Sequence, residues 1–494
     1  MAKLITACVL PWLWERAHLD PEGLALRFES RDLTFAQLAT ESEDTAMKLA
    51  ALGLRAGNRV AVLMDSSVRT VELIHAAQRL GIVLIPLNTR LTVPEIGVLL
   101  DASDPAALIY DSRFLNAIGA LRPERFRTVE STAEFDSIPL TPIPPLASID
   151  RDAALTIIFT SGTTGTPKGA VLTNGNHFAS ALASRHNLGA MPSDRWLDLL
   201  PLYHMGGLSI LLRSVLDGSA VVLHRGFDAH AANQSIREDR ITLLSVVPTM
   251  LARMLHDIRG HNYSGLRRVL VGGGPVAPEL VSRAAQMGMP VAPTYGLTET
   301  ASQVVTAAPQ DAIRKPGSCG RPLSGNQIKI VDPDECGRGE IAVSGPSVMA
   351  GYFRAEAETR AVLRDGWLHT GDIGHFDNDG FLYIDDRRSD LIVTGGENVY
   401  PAEVEAVLTS HPAVAEAAVY AAIDPEWGHR VAAAIVVRAG FQADTQELRA
   451  WCLPRLAQYK IPTIFAFLDA LPRTASGKIR RAILRDSLRP RSCT

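Results

Sequence analysis

A loop rich in glycine and hydroxyl residues is the stretch of the sequence best suited to chemistry. It follows the apolar run at residues 157–159 and reads SGTTGTPKG from Ser161 to Gly169. Glycines let backbone N–H groups converge on an anion, hydroxyls add donors, and Lys168 supplies positive charge. The loop is not a Walker A motif, because Pro167 stands where that motif requires glycine. We therefore predict a phosphate site, the alternative being a surface turn of small residues.

Three further short segments carry groups that would complete a nucleotide site. PTYGLTET at residues 293–300 combines an aromatic ring, which can stack on a base, with Glu299, which suits Mg²⁺ held against phosphate oxygens. HTGD ends in Asp372, whose carboxylate can accept both hydroxyls of a ribose. RTASGKIRR offers Lys478 in a loop of small residues. Taken singly, each pattern is also typical of a turn, a helix cap or a solvated tail.

Alternating helical and strand-like patterns must position these groups. Spacing predicts helices at residues 34–52 and 68–79, and apolar runs predict strands at 59–64 and 81–86. The rhythm indicates parallel sheets with crossover helices. Further strands of the same kind are expected at residues 107–110, 220–223, 242–247 and 268–271.

The texture changes after Arg321 into short alternating segments, which predict a smaller β-rich unit. A charged cluster at residues 385–390 then interrupts the pattern. The fold class expected is α/β, with a large N-terminal domain of two βα sheets and a small β-barrel-like unit, and a small mobile α+β C-terminal domain. The predicted bounds are 1–386, a hinge at 387–390, and 391–494. The later elements expected are strands at 327–331, 340–343, 381–384, 414–420 and 431–437, and helices at 401–411 and 445–458.

Composition limits the classes of function. The 494 residues are 47% hydrophobic, which is ordinary for a globular protein. Their formal charge of −4 is close to balanced, which argues against a general nucleic-acid or anionic-membrane binder. No segment reaches the ~20 apolar residues of a membrane span. Sparse cysteines without a C-x-x-C spacing argue against a zinc or redox site and predict a cytoplasmic protein. They are Cys8, Cys319, Cys336, Cys452 and Cys493.

The motifs together, in their order along the chain, resemble the acyl-adenylate-forming superfamily of acyl-CoA synthetases, luciferases and peptide-synthetase adenylation domains. The matching segments are TSGTTGTPKG, YGLTE, GEIAVSG, HTGD, RRSD with GGENVYP, and SGK. The resemblance covers nearly the whole chain. It implies an enzyme that uses ATP and Mg²⁺ to form an acyl-adenylate and then passes the acyl group to coenzyme A. The partners implied are small molecules, without nucleic acid or membrane insertion, and a homo-oligomer stays open.

This resemblance also assigns residues to a nucleotide site. Thr298 would contact the α-phosphate, Glu299 would bind Mg²⁺, and Lys478 would bridge the substrate carboxylate and the α-phosphate. The carboxylate needs no general base, because it is already ionised at neutral pH. The residues implied for ATP binding are Thr160, Ser161, Gly162, Thr163, Thr164, Gly165, Lys168, Gly272, Gly273, Gly274, Tyr295, Gly296, Asp372 and Arg387.

A second half-reaction implies a second set of residues. Relatives in the superfamily rotate the C-terminal domain about a hinge, which Ser389 would form here. Gly395, Gly396 and Glu397 would then line the path of the coenzyme A thiol. The alternative for these residues is a simple tight turn.

The segment PLYHMGGLSILLRSV at residues 201–215 indicates the acid. His204 resembles the gate between acyl pocket and nucleotide, against the alternative of a structural histidine. This stretch, together with VGGGPVAPEL, PTYGLTETASQVVT and DRRSDLIVTGGENVYPAEVEAVL, resembles o-succinylbenzoate–CoA ligases of menaquinone synthesis, whose substrate is a dianion. Arg213 would pair with the second carboxylate, with Ser302 and Gln303 as donors; a helix-surface charge is the alternative for Arg213. Another acid, benzoate-type or fatty, and a non-catalytic nucleotide-binding relative also stay open.

Overall fold

A computed structural model describes residues 10–121, 125–161, 167–257, 263–386, 391–424, 426–473, 479 and 481–487. By internal contacts the chain divides into two compact units. The first comprises Met1–Thr89, Leu100–Phe159 and Gly169–Asp386, and the second comprises Arg90–Leu99, Thr160–Lys168 and Arg387–Thr494. The continuous division at residues 386 and 391 stays a prediction.

The larger sheet of the first unit has a parallel part and an antiparallel part. Its parallel part joins Leu24–Phe28, at one end, to Val291–Leu297. From Val291–Leu297 onward each strand pairs antiparallel with the next. Within the described residues the strands are, in spatial order, Gln327–Val331, Gly339–Ser344, Trp367–Phe376, Leu382–Asp386, Ser318–Pro322, Ser302–Thr306, Val291–Leu297, Arg268–Val271, Leu243–Val246, Arg195–Asp198, Ala220–Leu223, Leu24–Phe28 and Arg31–Thr34, with Leu363–Arg364 beside Trp367–Phe376.

A smaller sheet carries the strands on both sides of the glycine-rich loop. Its centre is parallel, with Arg59–Leu63 between Val83–Pro86 and Ala107–Tyr110. The apolar residues of these central strands are buried, which is expected when helices cover a parallel sheet. In spatial order the strands described are Gly351–Tyr352, Pro167–Thr173, Ala154–Ser161, Val83–Pro86, Arg59–Leu63, Ala107–Tyr110 and Arg127–Glu130.

Helices connect most of these strands, and their ends follow local sequence signals. Thr34 caps the helix Phe35–Ala51 through a reciprocal pair of hydrogen bonds with Gln37. Gly81, with φ of 69°, ends the helix Val68–Leu80 in the left-handed region that favours glycine. The other helices described up to residue 386 are Trp12–Leu19, Val93–Ser103, Leu115–Gly119, Ala133–Ser137, Asn174–Leu188, Met205–Asp217, Ala229–Glu238, Pro248–His256, Pro278–Gln286, Pro309–Arg314 and Glu356–Val362, with 3₁₀ turns at Ser112–Phe114 and Thr298–Thr300.

The second unit has its own sheet and its own core. Its strands are Glu397–Val399, Ile392–Thr394, Gly428–Val437 and Val414–Asp424 in spatial order, with Ile464–Phe467 parallel to Gly428–Val437. The helices Pro401–Thr409 and Thr445–Cys452 bury Val404, Leu408 and Leu448 in that core. A 3₁₀ turn at Gln458–Lys460 and a helix at Arg481–Ser487 complete the described elements.

The predicted fold class is confirmed, and two predicted elements differ in detail. The helix expected over 445–458 is wrong in length and ends at Cys452. Leu453 is still helical, with φ of −49° and ψ of −46°, but Pro454 has no N–H group to continue the hydrogen bonds of the helix, so the helix stops there. The β-rich segment expected after Arg321 is present, and its strands extend the larger sheet at its antiparallel end. Within the described part of the chain, no helix is long and apolar enough to cross a membrane.

Candidate active site

A strained turn presents Glu299 beyond the strand Val291–Leu297. The hydroxyl of Thr300 accepts a hydrogen bond from the backbone of Leu297 and donates to the carbonyl of Ser302, at 2.9 and 2.8 Å. Ala301 and Ser302 then have φ of 51° and 106°, a region that L-residues rarely adopt. Such strain persists only where surrounding contacts fix it, and it concentrates at functional sites. The turn therefore holds Thr298 and Glu299, both partly exposed, in a defined place.

The carboxylate of Glu299 is held by a tyrosine that the sequence did not reveal. The Tyr352 hydroxyl donates to Glu299 Oε1 at 2.8 Å. The two residues are 53 positions apart in the chain, so spacing alone gave no signal of the pair. A single carboxylate fits Mg²⁺, which usually takes only one or two protein carboxylates together with substrate phosphates. Among the described residues, no cluster of three or more His, Cys, Asp or Glu residues offers a metal site made by protein alone.

Asp372 also accepts a hydrogen bond from a tyrosine, in this case one that the sequence had assigned to the nucleotide site. The Tyr295 hydroxyl donates to Asp372 Oδ2 at 2.8 Å, and both residues are buried. The structure thus brings together two residues that the motifs placed 77 positions apart. The hydrogen bond fixes the orientation of the Asp372 carboxylate, and its role toward a ribose stays a prediction.

Glu340 fixes the backbone on which Asp372 lies. Its two carboxylate oxygens meet His369 Nδ1 at 2.8 Å and the backbone N–H of Gly371 at 3.0 Å. Gly371 has φ of 77°, so glycine suits this position of the HTGD turn. Sequence reasoning noted the GEI segment but gave Glu340 no role.

Two predicted glycines are required by close backbone approach. A Cβ atom at Gly272 would lie 2.7 Å from Thr294 Cγ2, and one at Gly296 would lie 2.0 Å from the carbonyl oxygen of Ser302. Gly273 has φ of 77°, whereas Gly274 has no positive φ. The predicted adenine segment is therefore packed against the strand that carries Tyr295.

The phosphate loop is described only at its two ends. The Thr160 hydroxyl donates to the carbonyl of Lys168 at 3.4 Å, and both residues are partly exposed. Backbone alone is described for Ser161. The predicted residues Gly162, Thr163, Thr164, Gly165, Arg387, Ser389 and Lys478 lie outside the described residues.

His204 precedes the helix Met205–Asp217, and its ring packs edge-on against Tyr203 with ring centroids 4.7 Å apart. A Cβ atom at Gly207 would lie 2.6 Å from the carbonyl oxygen of Leu200, so the glycines after His204 allow the helix to begin against the preceding loop. His204 itself is partly exposed, as a gate residue would be.

Arg213 lies on the same helix and is buried, so the alternative of a helix-surface charge is wrong. The described residues provide no hydrogen-bond partner for its Nε and Nη2 atoms. Its guanidinium carbon lies 5.9 Å from the ring centroid of Trp196. Burial lowers the pKa of Arg213 to about 10, a shift that the charge of Asp217 partly offsets. The group is still a cation at neutral pH, with N–H groups to offer.

The pKa of His177 is affected by the buried charge of Arg213. Burial, and then the charge of Arg213, lower the pKa of His177 to about 3. Its Nε2 atom lies 2.9 Å from the Thr156 hydroxyl, which a neutral imidazole can bond. His177 is therefore neutral at neutral pH and adds no second positive charge beside Arg213.

The two predicted donors next to the turn differ from each other. Gln303 is buried, and within the described residues its Nε2 atom has no partner. Its Oε1 atom accepts from Thr294 at 3.4 Å. Ser302 is partly exposed and has the strained φ given above. The helices Asn174–Leu188 and Met205–Asp217 both pack on the strand Ser302–Thr306, which places His177, Arg213 and Gln303 on adjoining elements.

The predicted coenzyme A residues form a tight turn in the second unit. Gly395 and Gly396, with φ of 58° and 87°, connect two paired strands whose facing end residues are Thr394 and Glu397. Positive φ at both positions is what a two-residue hairpin needs. Glu397 is buried. The alternative of a tight turn thus describes the backbone, and the role of the turn toward coenzyme A stays a prediction.

Comparisons with known proteins agree along almost the full length. The chain matches the family of AMP-binding enzymes over residues 13–353 and the AMP-binding enzyme C-terminal domain over residues 403–478. It is 44% identical over 474 residues to the 2-succinylbenzoate–CoA ligase of Bacillus licheniformis, covering 95% of this chain and 98% of the relative.

Two solved structures of o-succinylbenzoate CoA synthetase from Bacillus subtilis are also similar. A double mutant bound with its product analogue OSB-NCoA has a TM-score of 0.91 and 42% identity, covering 97% of this chain and 98% of that one. The complex with ATP and magnesium ion has a TM-score of 0.74 and 42% identity, covering 97% and 99%.

Proposed function

This chain belongs to the AMP-binding enzyme family, and from that membership we propose that it is an ATP-dependent ligase that joins 2-succinylbenzoate to coenzyme A. The observation that carries the proposal is the near full-length similarity to ligases and synthetases named for this acid. The reaction belongs to menaquinone biosynthesis. The site described above supplies residues suited to each of its steps.

Adenylation is the first step. A carboxylate oxygen of the acid attacks the α-phosphorus of ATP, the bond to pyrophosphate breaks, and acyl-adenylate forms. Glu299 would hold Mg²⁺, which neutralises phosphate charge as it builds in the transition state. Asp372 and Tyr295 fix the nucleoside end, so that the reacting groups meet in line. Thr298 and Lys478 remain proposed contacts of the α-phosphate.

Thioester formation is the second step. The thiol of coenzyme A gives up its proton to solvent and its sulfur attacks the acyl carbonyl, the bond to the AMP oxygen breaks, and AMP leaves as the anion. We assign Gly395, Gly396 and Glu397 to the thiol path and Ser389 to the hinge on the strength of the sequence resemblance. A cytoplasmic location and a homo-oligomer stay predictions from the sequence.

The buried charge of Arg213 supports a dianionic acid. The Nε and Nη2 atoms of Arg213 have no hydrogen-bond partner among the described residues, and an unsatisfied buried donor costs about 1–3 kcal/mol, more when the group is charged. A second carboxylate of the substrate would supply the missing partner, with the amide of Gln303 and the hydroxyl of Ser302 as further donors. His204 would separate this pocket from the nucleotide. A monoacid would leave Arg213 unpaired, so this pocket discriminates against benzoate and fatty acids.

A panel of acids tests the proposal. The protein is incubated with ATP, Mg²⁺ and 2-succinylbenzoate, benzoate or a long-chain fatty acid, and pyrophosphate and AMP are followed with and without coenzyme A. Of the three acids, we expect only 2-succinylbenzoate to give rapid pyrophosphate release. With this acid, AMP should be released continuously once coenzyme A is added. Faster turnover of a monoacid would transfer the assignment to another acid. Absence of pyrophosphate with every acid would indicate a non-catalytic relative.

A further inference from the structure

We propose that Tyr352 is a positioning residue for the metal-binding carboxylate of Glu299. The inference rests on the proposed function only in taking Glu299 to meet the cation that accompanies ATP. The phenol hydroxyl donates to Glu299 Oε1 at 2.8 Å. A single donated proton engages one lone pair, so the other oxygen of the carboxylate can face a cation.

The backbone of Tyr352 is anchored by its neighbours. Its N–H donates to the Thr359 hydroxyl at 2.8 Å, and that hydroxyl donates to the carbonyl of Ala355 at 2.8 Å. Gly351 has φ of 147°, and a Cβ atom at this position would lie 2.9 Å from Thr359 Cγ2, so a larger residue does not fit. These contacts fix the backbone of Tyr352, and with it the position from which the hydroxyl reaches Glu299.

The same segment also holds the backbone of Glu299. The N–H of Met349 donates to the carbonyl of Glu299 at 2.8 Å. Glu299 is thus bound twice, once through its carbonyl by Met349 and once through its carboxylate by Tyr352. Two attachments from one short segment set both the place and the orientation of the carboxylate.

This segment pairs with the strand that leaves the phosphate loop. The N–H of Ala350 donates to the carbonyl of Val171 at 3.0 Å, and the N–H of Phe353 donates to that of Gly169 at 2.8 Å. Gly351–Tyr352 forms an antiparallel ladder with residues 170 and 171. The segment 349–353 is therefore a bridge between Glu299 and the strand at the end of the phosphate loop.

A hydrogen bond to a metal-binding carboxylate has a characteristic effect. Residues that orient a ligand typically change metal affinity or activity by about 10- to 100-fold when they are lost. A merely structural tyrosine would instead lower stability without changing the metal dependence. The dependence of nucleotide binding on the cation separates these roles.

The test compares Tyr352→Phe with the unchanged protein in two measurements. Calorimetric titration with a non-hydrolysable ATP analogue at a series of Mg²⁺ concentrations gives the half-saturating Mg²⁺, and Mn²⁺ binding in the presence of the analogue is followed by electron paramagnetic resonance. We expect the half-saturating concentration to rise about 10-fold. Binding of AMP without metal should stay unchanged. An unchanged half-saturating Mg²⁺ in Tyr352→Phe overturns the proposal.

Tyr263→Phe is the matched control. Its hydroxyl is also held in the first unit, donating to Asn233 Oδ1 at 3.1 Å, and it has no part in the site. This variant should keep the Mg²⁺ dependence of the unchanged protein. A rise equal to that of Tyr352→Phe would mean a general loss of packing, which contradicts the proposal.

A double-mutant cycle tests whether Tyr352 acts through Glu299. Glu299→Gln alone should raise the half-saturating Mg²⁺, and adding Tyr352→Phe should then change it by less than about twofold if the tyrosine acts through Glu299. If the factors by which the two single substitutions raise the half-saturating Mg²⁺ multiplied in the double variant, the proposal would be overturned. The acid panel reports separately on the proposed function, because these metal measurements need no acid substrate.

Discussion

The nucleotide region (Tyr295, Glu299, Tyr352 and Asp372) and the acyl region (Arg213 and Gln303) differ in how their charged and polar groups are hydrogen-bonded. Glu299 and Asp372 each accept a hydrogen bond from a tyrosine hydroxyl, at 2.8 Å in both cases. Arg213 and Gln303 are enclosed by the fold, yet within the described residues three of their N–H-bearing atoms have no partner. In the first region each of these carboxylates has a tyrosine donor, and in the second, donors are left without a partner among the described residues.

The difference follows from what each region must bind. On the proposed assignment, the carboxylates of the nucleotide region would meet a ribose hydroxyl and a cation that accompanies the phosphates, and fixed acceptors would orient both at small cost. The second carboxylate of a dianionic acid would pair with a buried cation, because such a cation is not already hydrogen-bonded to bulk water. Buried donors without partners are unfavourable in the empty protein and become favourable when the carboxylate arrives. Stability and substrate affinity are thus opposed in the acyl region.

Arg213→Met should give the largest change in activity. Loss of one partner of a buried charge pair costs about 2–5 kcal/mol. We expect kcat/KM for 2-succinylbenzoate to fall by about 1000-fold, while the KM for ATP stays the same. The free energy of unfolding should stay equal or rise, because an apolar side chain replaces an unpaired buried charge.

Steady-state kinetics with both substrates and urea unfolding check this expectation. Arg213→Lys serves as the control, since it keeps the charge but not the planar fork, and should lose less activity than Arg213→Met. If Arg213→Met left kcat/KM for the dianionic acid unchanged, the guanidinium would have no part in substrate binding, and the comparison between the two regions would fail.

His177 should give the next largest effect, as a dependence of stability on pH. Its pKa is lowered to about 3 by burial and by Arg213. The unfolded chain takes up a proton near pH 6.5 and the folded chain does not, so stability is lost as pH falls below about 6.5. Between about pH 6.5 and about pH 4.5 the loss from this group should be about 2–3 kcal/mol.

Urea unfolding at these two pH values measures the loss. His177→Gln keeps a polar partner for Thr156 but cannot titrate. Between the two pH values its free energy of unfolding should therefore fall by about 2–3 kcal/mol less than that of the unchanged protein. Equal losses in the two proteins would show that His177 is not kept neutral by its surroundings.

The sequence predicted the nucleotide region better than the acyl region, for a physical reason. Motifs record residues close together in the chain, and Tyr295, Glu299 and Asp372 each stand in one. The donors that complete the region, such as Tyr352, come from far along the chain and show no local pattern. Strands were predicted well, since apolar runs of four or five residues are buried in a parallel sheet.

Burial was the feature that local sequence could not give. Arg213 and a surface arginine have the same pattern of neighbours on a helix, and only the packing of Met205–Asp217 against other elements decides between them. The helix that begins at Thr445 was predicted, but its end was placed at residue 458 instead of Cys452, although Pro454 itself indicated an earlier end.

Tyr295→Phe should have an intermediate effect, on the nucleotide side. It removes a hydrogen bond to a buried carboxylate, which is worth about 1.5–3 kcal/mol. We expect the free energy of unfolding to fall by about 2 kcal/mol and the KM for ATP to rise by about 10-fold, with the KM for the acid unchanged. Thermal or urea unfolding and steady-state kinetics measure both.

Gln303→Leu is the matched variant on the acyl side. The Nε2 atom of Gln303 has no partner among the described residues, so its removal should leave the free energy of unfolding within about 1 kcal/mol of the unchanged protein. If this variant lost as much stability as Tyr295→Phe, the acyl region would hold partnered donors after all, and the contrast with the nucleotide region would disappear.

Ser302 should give the smallest effect and distinguishes strain from chemistry. Its φ of 106° is costly for any residue with a Cβ atom. Ser302→Gly should therefore be more stable than Ser302→Ala by about 1 kcal/mol in urea unfolding. Both variants lack the hydroxyl, and both should raise the KM for 2-succinylbenzoate by the same factor. If Ser302→Gly alone lost affinity for the acid, the rigidity of the turn, rather than the hydroxyl, would be what the acyl region requires of this residue.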